Sequence, residues 1–178
     1  MDKTIGADLF RYGGLTFWQA FRTPGFRFSY FYREAKKYKR LSLPGMWFRM
    51  FLHREAAKFG YQIPLSAEIG PGLFLPHFGG IVIGKEVKIG KNCDVSPNVV
   101  IGRELRGKRK GSPMVGDKVW IGPGAVIVGK IKIGSNVLIA GNSFLNRDVP
   151  SNSIVIGNPA KIIKNLKATE GYINNEIS

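Results

Sequence analysis

His77 is one of two histidines in 178 residues. It stands in the stretch LFLPHFGGIVIG, residues 73–84. An imidazole can take and return a proton near neutral pH, so His77 is the first candidate for general-base chemistry. Gly79 and Gly80 follow it, and a backbone without side chains there would let a ligand come close. The alternative is a turn histidine with no chemical role. His53, beside Arg54 and Glu55 in a helical pattern, reads as a solvent-facing or interface residue. The lone cysteine, Cys93, excludes an intrachain disulfide and reads as an inert core thiol. A three-histidine metal centre would need more than the single histidine, His77, in the later part of the chain, so no metal is expected.

The elements that must position His77 follow a strict beat. Stepping by six from Val115 meets Ile121, Ile127, Ile133, Ile139 and Leu145. An earlier block runs Ile83, Ile89, Val95 and Ile101, and one before it Ile63, Ile69 and Leu75. Small or β-branched residues stand two positions earlier, as at Ala67, Val87, Cys93 and Val119. This period predicts a parallel β-helix in which three six-residue steps make one triangular coil and the aliphatic residues stack inside. The beat breaks twice. Fourteen residues separate Ile69 from Ile83, and His77 lies in that break. Fourteen also separate Ile101 from Val115, around a loop carrying Arg103, Arg106, Lys108, Arg109 and Lys110. Loops leaving a rigid scaffold are where function concentrates.

Residues 1–60 have a different grammar, helical and aromatic. Helices are expected in DLFRYGG, in LTFWQAFR up to Thr23-Pro24, in PGFRFSYFYREAKKYKR, and in LPGMWFRMFLHREAAKFG up to Gly60. In the last of these Leu43, Met46, Trp47, Met50, Phe51 and Ala57 fall largely on one face. The expected organisation is a helical domain over 1–60, a β-helix over 61–165 and a tail over 166–178. The composition, 44% hydrophobic and 22% charged, is globular. No apolar run approaches a membrane span, and the longest is cut by Arg49. Residues 1–25 carry Asp2, Asp8, Arg11 and Arg22, so no secretory signal is expected and a cytoplasmic location follows. The formal charge of +15 suggests a polyanionic neighbour. Neither zinc-finger spacing nor an RNP-type aromatic motif is present, so nucleic acid is not the expected one.

The stretches AEIGPGLFLPHFGGIVIG, VGDKVWIGPGAVIVGKIKIG and VPSNSIVIGNPAKII resemble the serine acetyltransferase branch of the hexapeptide-repeat acyltransferases. DLFRYGG, PGF and FYREA match the helical domain of that branch more loosely. The resemblance implies a mainly β fold, a left-handed parallel β-helix with a small α-helical N-terminal domain. It implies acetyl-CoA as acyl donor and His77 as the general base that deprotonates an acceptor hydroxyl, with backbone amides of the coil supporting the oxyanion. It implies a homotrimer, or a dimer of trimers, with the cofactor between adjacent β-helices. By position, Gly102, Gly122, Ala140, Gly141, Lys161 and Lys164 would line the cofactor groove.

The chain also departs from that branch. Gln62 stands where the family has the carboxylate that orients the histidine, and Glu68 is an alternative carboxylate. Pro76 stands where the family has an aspartate that contacts the amino acid. Gly111-Ser112 replaces an arginine–histidine pair that helps to hold serine. These losses, with the wording EIGPGL…HFGGIVI, resemble enzymes that acetylate sugars of surface polysaccharides. The first expectation is therefore a sugar hydroxyl of a capsular, exo- or lipopolysaccharide as acceptor. Pro76, Phe78, Arg103 and Ser112 would then line its site, with peripheral contact at an anionic membrane surface. Serine is the second expected acceptor, and a non-catalytic polyanion-binding β-helix the third reading.

Overall fold

The computed structural model describes residues 2–177. Met1 and Ser178, the outer limits of the first and last expected segments, lie outside the described residues. Four helices come first: α1 (Lys3–Phe10), α2 (Phe17–Phe21), α3 (Pro24–Lys37) and α4 (Leu43–Phe59). Each start has a local cause. The Asp2 carboxylate accepts the N–H groups of Thr4 and Ile5. Thr16 and Gln19 form a reciprocal capping box. Pro24 opens α3 within its first turn, and the Ser42 hydroxyl caps α4 through the Gly45 N–H at 3.2 Å. Gly60 ends α4 in the left-handed conformation, φ 75°.

A three-sided parallel β-helix follows. Sheet A holds Tyr61–Gln62, Ile81–Ile83, Val100–Gly102, Val126–Val128 and Phe144–Leu145. Sheet B holds Glu68–Ile69, Lys88–Ile89, Met114–Val115 and Lys132–Ile133. Sheet C holds Asp94–Val95, Val119–Ile121, Val137–Ile139 and Ser153–Ile156, with Lys161–Lys164 added antiparallel at its edge. The register stacks the six-residue beat on itself: Ile83 on Ile101 on Ile127, and Ile89 on Val115 on Ile133. Every aliphatic residue of the beat is buried, as are the small residues two positions before it. Corners turn through left-handed residues, several of them asparagines: Asn92, Asn98, Asn136, Asn142 and Asn152. Asparagine tolerates this conformation better than other side chains do.

The two breaks have different forms. The loop after Gly102 makes a small hairpin closed by Glu104 and Gly111, whose N–H and carbonyl groups bond reciprocally at 3.0 Å. The Lys130 N–H then donates to the Arg109 carbonyl at 2.8 Å, which lays the loop along the edge between sheets A and B. The break around His77 is a bend between sheets C and A, described below.

Leu43, Met46, Trp47 and Met50 do share a face of α4, but that face is exposed. The helix packs through the opposite side, where Phe51 stacks on Phe31 at 5.3 Å and Leu52 is buried. Phe51 thus parts from the group in which the spacing placed it, and Ala57 is exposed. The tail also has structure. Residues 165–177 fold back on sheet C, where Tyr172 meets Trp120 at 4.7 Å. Asn136 and Asn92 hold this segment through Thr169 and Ile177.

Candidate active site

The helical domain seats the His77 bend at three points. At Gly25 in the first turn of α3, a Cβ would lie 2.1 Å from the Leu75 carbonyl oxygen, so only glycine permits this approach two residues before His77. At the far end, a Cβ on Gly60 would lie 2.8 Å from the Gly80 nitrogen. The Gly79 N–H donates to the Phe59 carbonyl at 3.0 Å, and the Phe59 and Phe78 rings meet at 5.4 Å. Gly79 and Gly80 both have positive φ, 129° and 45°, so the bend needs them. Sequence reasoning found the two glycines after His77 but not Gly25 or Gly60, which read only as helix boundaries.

His77 itself is exposed. Its backbone carbonyl accepts from the Tyr61 hydroxyl at 3.5 Å, and burial pushes that phenol up to about 12. Gln62 is exposed on sheet A and pairs in register with Val82. Glu68 lies on sheet B, where it pairs with Lys88 at 2.9 Å, away from the edge that carries His77. Pro76 and Phe78 flank His77, Phe78 with 60% of its surface exposed.

The expected cofactor residues divide between two edges. Gly122, Ala140 and Gly141 share the edge between sheets C and A with His77. There the Gly79, Pro97 and Pro123 carbonyls accept from Asn98, Gly124 and Asn142 in succession. A Cβ on Gly122 would lie 2.7 Å from the Gly141 nitrogen, so this edge stays flat. Gly102, Arg103 and Ser112 lie on the other edge of sheet A, where Arg103 and Ser112 both contact Glu86 at 3.4 Å. In one chain, therefore, the expected substrate residues are not brought together. Lys161 and Lys164 both lie on the antiparallel edge strand of sheet C. Lys161 reaches a cavity of about 380 Å³ that it shares with Arg109, Arg147, Phe144 and Ala160. Three cations around one cavity suit a phosphate-bearing ligand. Arg147, bonded to the Ala160 carbonyl, was not among the sequence candidates.

Cys93 is buried and its thiol is pushed up to about 12 by burial, as an inert core residue requires. His53 is exposed. Among the described residues no three metal-ligating side chains come together.

The profile of the bacterial transferase hexapeptide family (six repeats) matches residues 112–147. The structure superposes on Neisseria gonorrhoeae serine acetyltransferase in complex with serine with a TM-score of 0.73 and 32% identity, covering 90% of this chain and 68% of that one. The chain belongs to the hexapeptide-repeat acyltransferases, in their serine acetyltransferase branch. With that family comes the left-handed hand of the β-helix. A serine acetyltransferase from Brucella abortus in complex with coenzyme A gives a TM-score of 0.74 at 29% identity, covering 91% of this chain and 65% of that one. Staphylococcus aureus serine acetyltransferase is 42% identical over 105 residues, 59% of this chain and 49% of the relative. The chain thus spans about half the length of the curated relatives it matches. These relatives are serine acetyltransferases by name, the activity of the second expectation above and not of the polysaccharide reading placed first.

Proposed function

We propose that the chain is an acetyl-CoA-dependent O-acetyltransferase with His77 as general base. The observation that carries this reading is the seating of an exposed imidazole at a flat, small-residue edge of a hexapeptide β-helix. Acetyl-CoA supplies the acyl group and a thiolate leaving group. His77 takes the proton from the acceptor hydroxyl as its oxygen bonds to the acyl carbon, and returns that proton to the departing sulfur. Gln62 would orient the imidazole by accepting its second N–H, without adding charge. The cavity of Arg109, Arg147 and Lys161 fits the phosphates of the donor. A second subunit of a homotrimer would set its loop edge, with Gly102, Arg103 and Ser112, against the His77 edge of the first. Pairing of two trimers through the helical domains is compatible with the same arrangement.

For the acceptor, the relatives support serine, and with it a cytoplasmic enzyme. A sugar hydroxyl remains the second reading, favoured by one observation: Pro76 and Phe78 beside His77 carry no charge to meet a free amino acid. The test is CoA release from acetyl-CoA with L-serine in one series and nucleotide- or lipid-linked sugars in another. His77→Ala should lower turnover by ~10²–10⁴-fold while leaving the melting temperature unchanged, because the ring is exposed. Wild-type turnover in that variant would sink the mechanism, and the series that responds names the acceptor class.

A further inference from the structure

The exposed face of α4 lies largely outside the core, and its Trp47 ring touches Phe31 at 6.3 Å from the edge of that face. It presents Leu43, Met46, Trp47 and Met50, preceded by Leu41; Leu43 keeps 80% of its surface exposed and Met50 59%. These positions recur at three- and four-residue spacing, so they make one continuous stripe along the helix. Trp18, 72% exposed, adjoins this region through Phe21, Phe31 and Trp47, each ring in contact with the next.

The charge around the stripe has one sign. Lys39 and Arg40 precede it, Arg54 and Lys58 follow it, and all four are exposed. The only carboxylate between residues 36 and 58 is Glu55. It is buried and bonded to Arg27 at 2.7 Å. No exposed acid therefore offsets these cations along the helix. We propose that this face of α4 docks on the surface of an anionic lipid bilayer.

A helix with leucine, methionine and tryptophan on one face, rimmed by lysine and arginine, can lie in the membrane interface. Its apolar side enters the headgroup boundary and its cations meet lipid phosphates. Tryptophan is favoured at that depth. The formal +15 of the chain adds attraction at longer range. A second copy of the chain is the competing occupant. Face to face, it would set Lys39, Arg40, Arg54 and Lys58 against the same unbalanced cations, which like-charge repulsion opposes. The proposal does not depend on which hydroxyl is acetylated.

The full chain is tested by flotation with vesicles of phosphatidylcholine alone and of phosphatidylcholine mixed with phosphatidylglycerol. Wild type should float with the mixed vesicles only, with a blue shift of tryptophan emission that Trp47→Phe reduces. The triple variant Leu43→Ser, Met46→Ser, Met50→Ser should lose flotation, and CoA release with the responding acceptor should continue as in wild type. Lys39→Glu with Arg40→Glu should weaken binding by about tenfold or more. Flotation unaffected by the triple variant would overturn the proposal, because charge alone would then explain the binding. So would failure of wild type to bind mixed vesicles at low salt. Self-association that the triple variant abolishes, without vesicle binding, would assign the face to a second copy instead.

Discussion

The Arg11 guanidinium donates to the Asp94 carboxyl with almost no solvent contact, at the junction of α1 and sheet C. A cavity of about 250 Å³ adjoins them, lined also by Tyr12, Phe74 and Tyr172. Burial raises the Asp94 carboxyl from 3.8 to about 7, and the Arg11 guanidinium opposes the shift without cancelling it. The folded state therefore holds this proton across a range in which the unfolded chain has released it. Stability from this group is complete below about 4 and is lost as the pH rises through about 7. Melting temperature measured against pH should fall across that window, and Asp94→Asn should flatten the fall. An equal slope in the variant would show that another group is responsible. Nothing in the sequence pointed to this pair, because 83 residues separate its members. His77, by contrast, was visible in the sequence as a lone imidazole at a break in a regular period.

At the scale of elements, the β-helix was legible almost residue by residue. Its period is local, and each aliphatic residue of the beat has one place to go. The helical domain was less so. The spacing of Leu43, Met46, Trp47 and Met50 establishes that α4 has two faces, but the apolar stripe turned out not to be the buried one. Instead Phe51 stacks on Phe31 of α3 and Leu52 is buried, and periodicity does not weigh side-chain fit. The join between domains was invisible for a similar reason. Arg33 donates to Asp8 and to the carbonyls of Ile69 and Gly70, while Asp8 also accepts the N–H groups of Gly72 and Leu73. This buried network and the Gly25 contact fix the first coil against α3. Gly25→Ala should force the helix from Leu75 at a cost of ~1–3 kcal/mol in denaturant unfolding. Turnover should drop with it, since His77 lies two residues beyond. A variant of native stability and native turnover would show that the bend is positioned from elsewhere.

For the whole molecule, the division of the candidate site residues between the two edges of sheet A carries the main consequence. A subunit offers His77 at one edge and the loop of Arg103, Arg109 and Ser112 at the other. If each active site combines the edges of two copies, inactive chains should complement one another. Mixed trimers of His77→Ala with an Arg109→Glu, Lys161→Glu double variant should regain turnover that neither parent shows. Activity no greater than the sum of the parents would place the whole site within one chain. The loop itself suggests how such enzymes diversify. It leaves the coil after Gly102 and returns before Met114, yet Gly102 still pairs with Val128 and Met114 with Lys88, in the register of their uninterrupted neighbours. Core packing therefore does not sense what the loop contains. Sequence change at this corner can therefore vary what the loop presents to its surroundings while the coil keeps its register on either side.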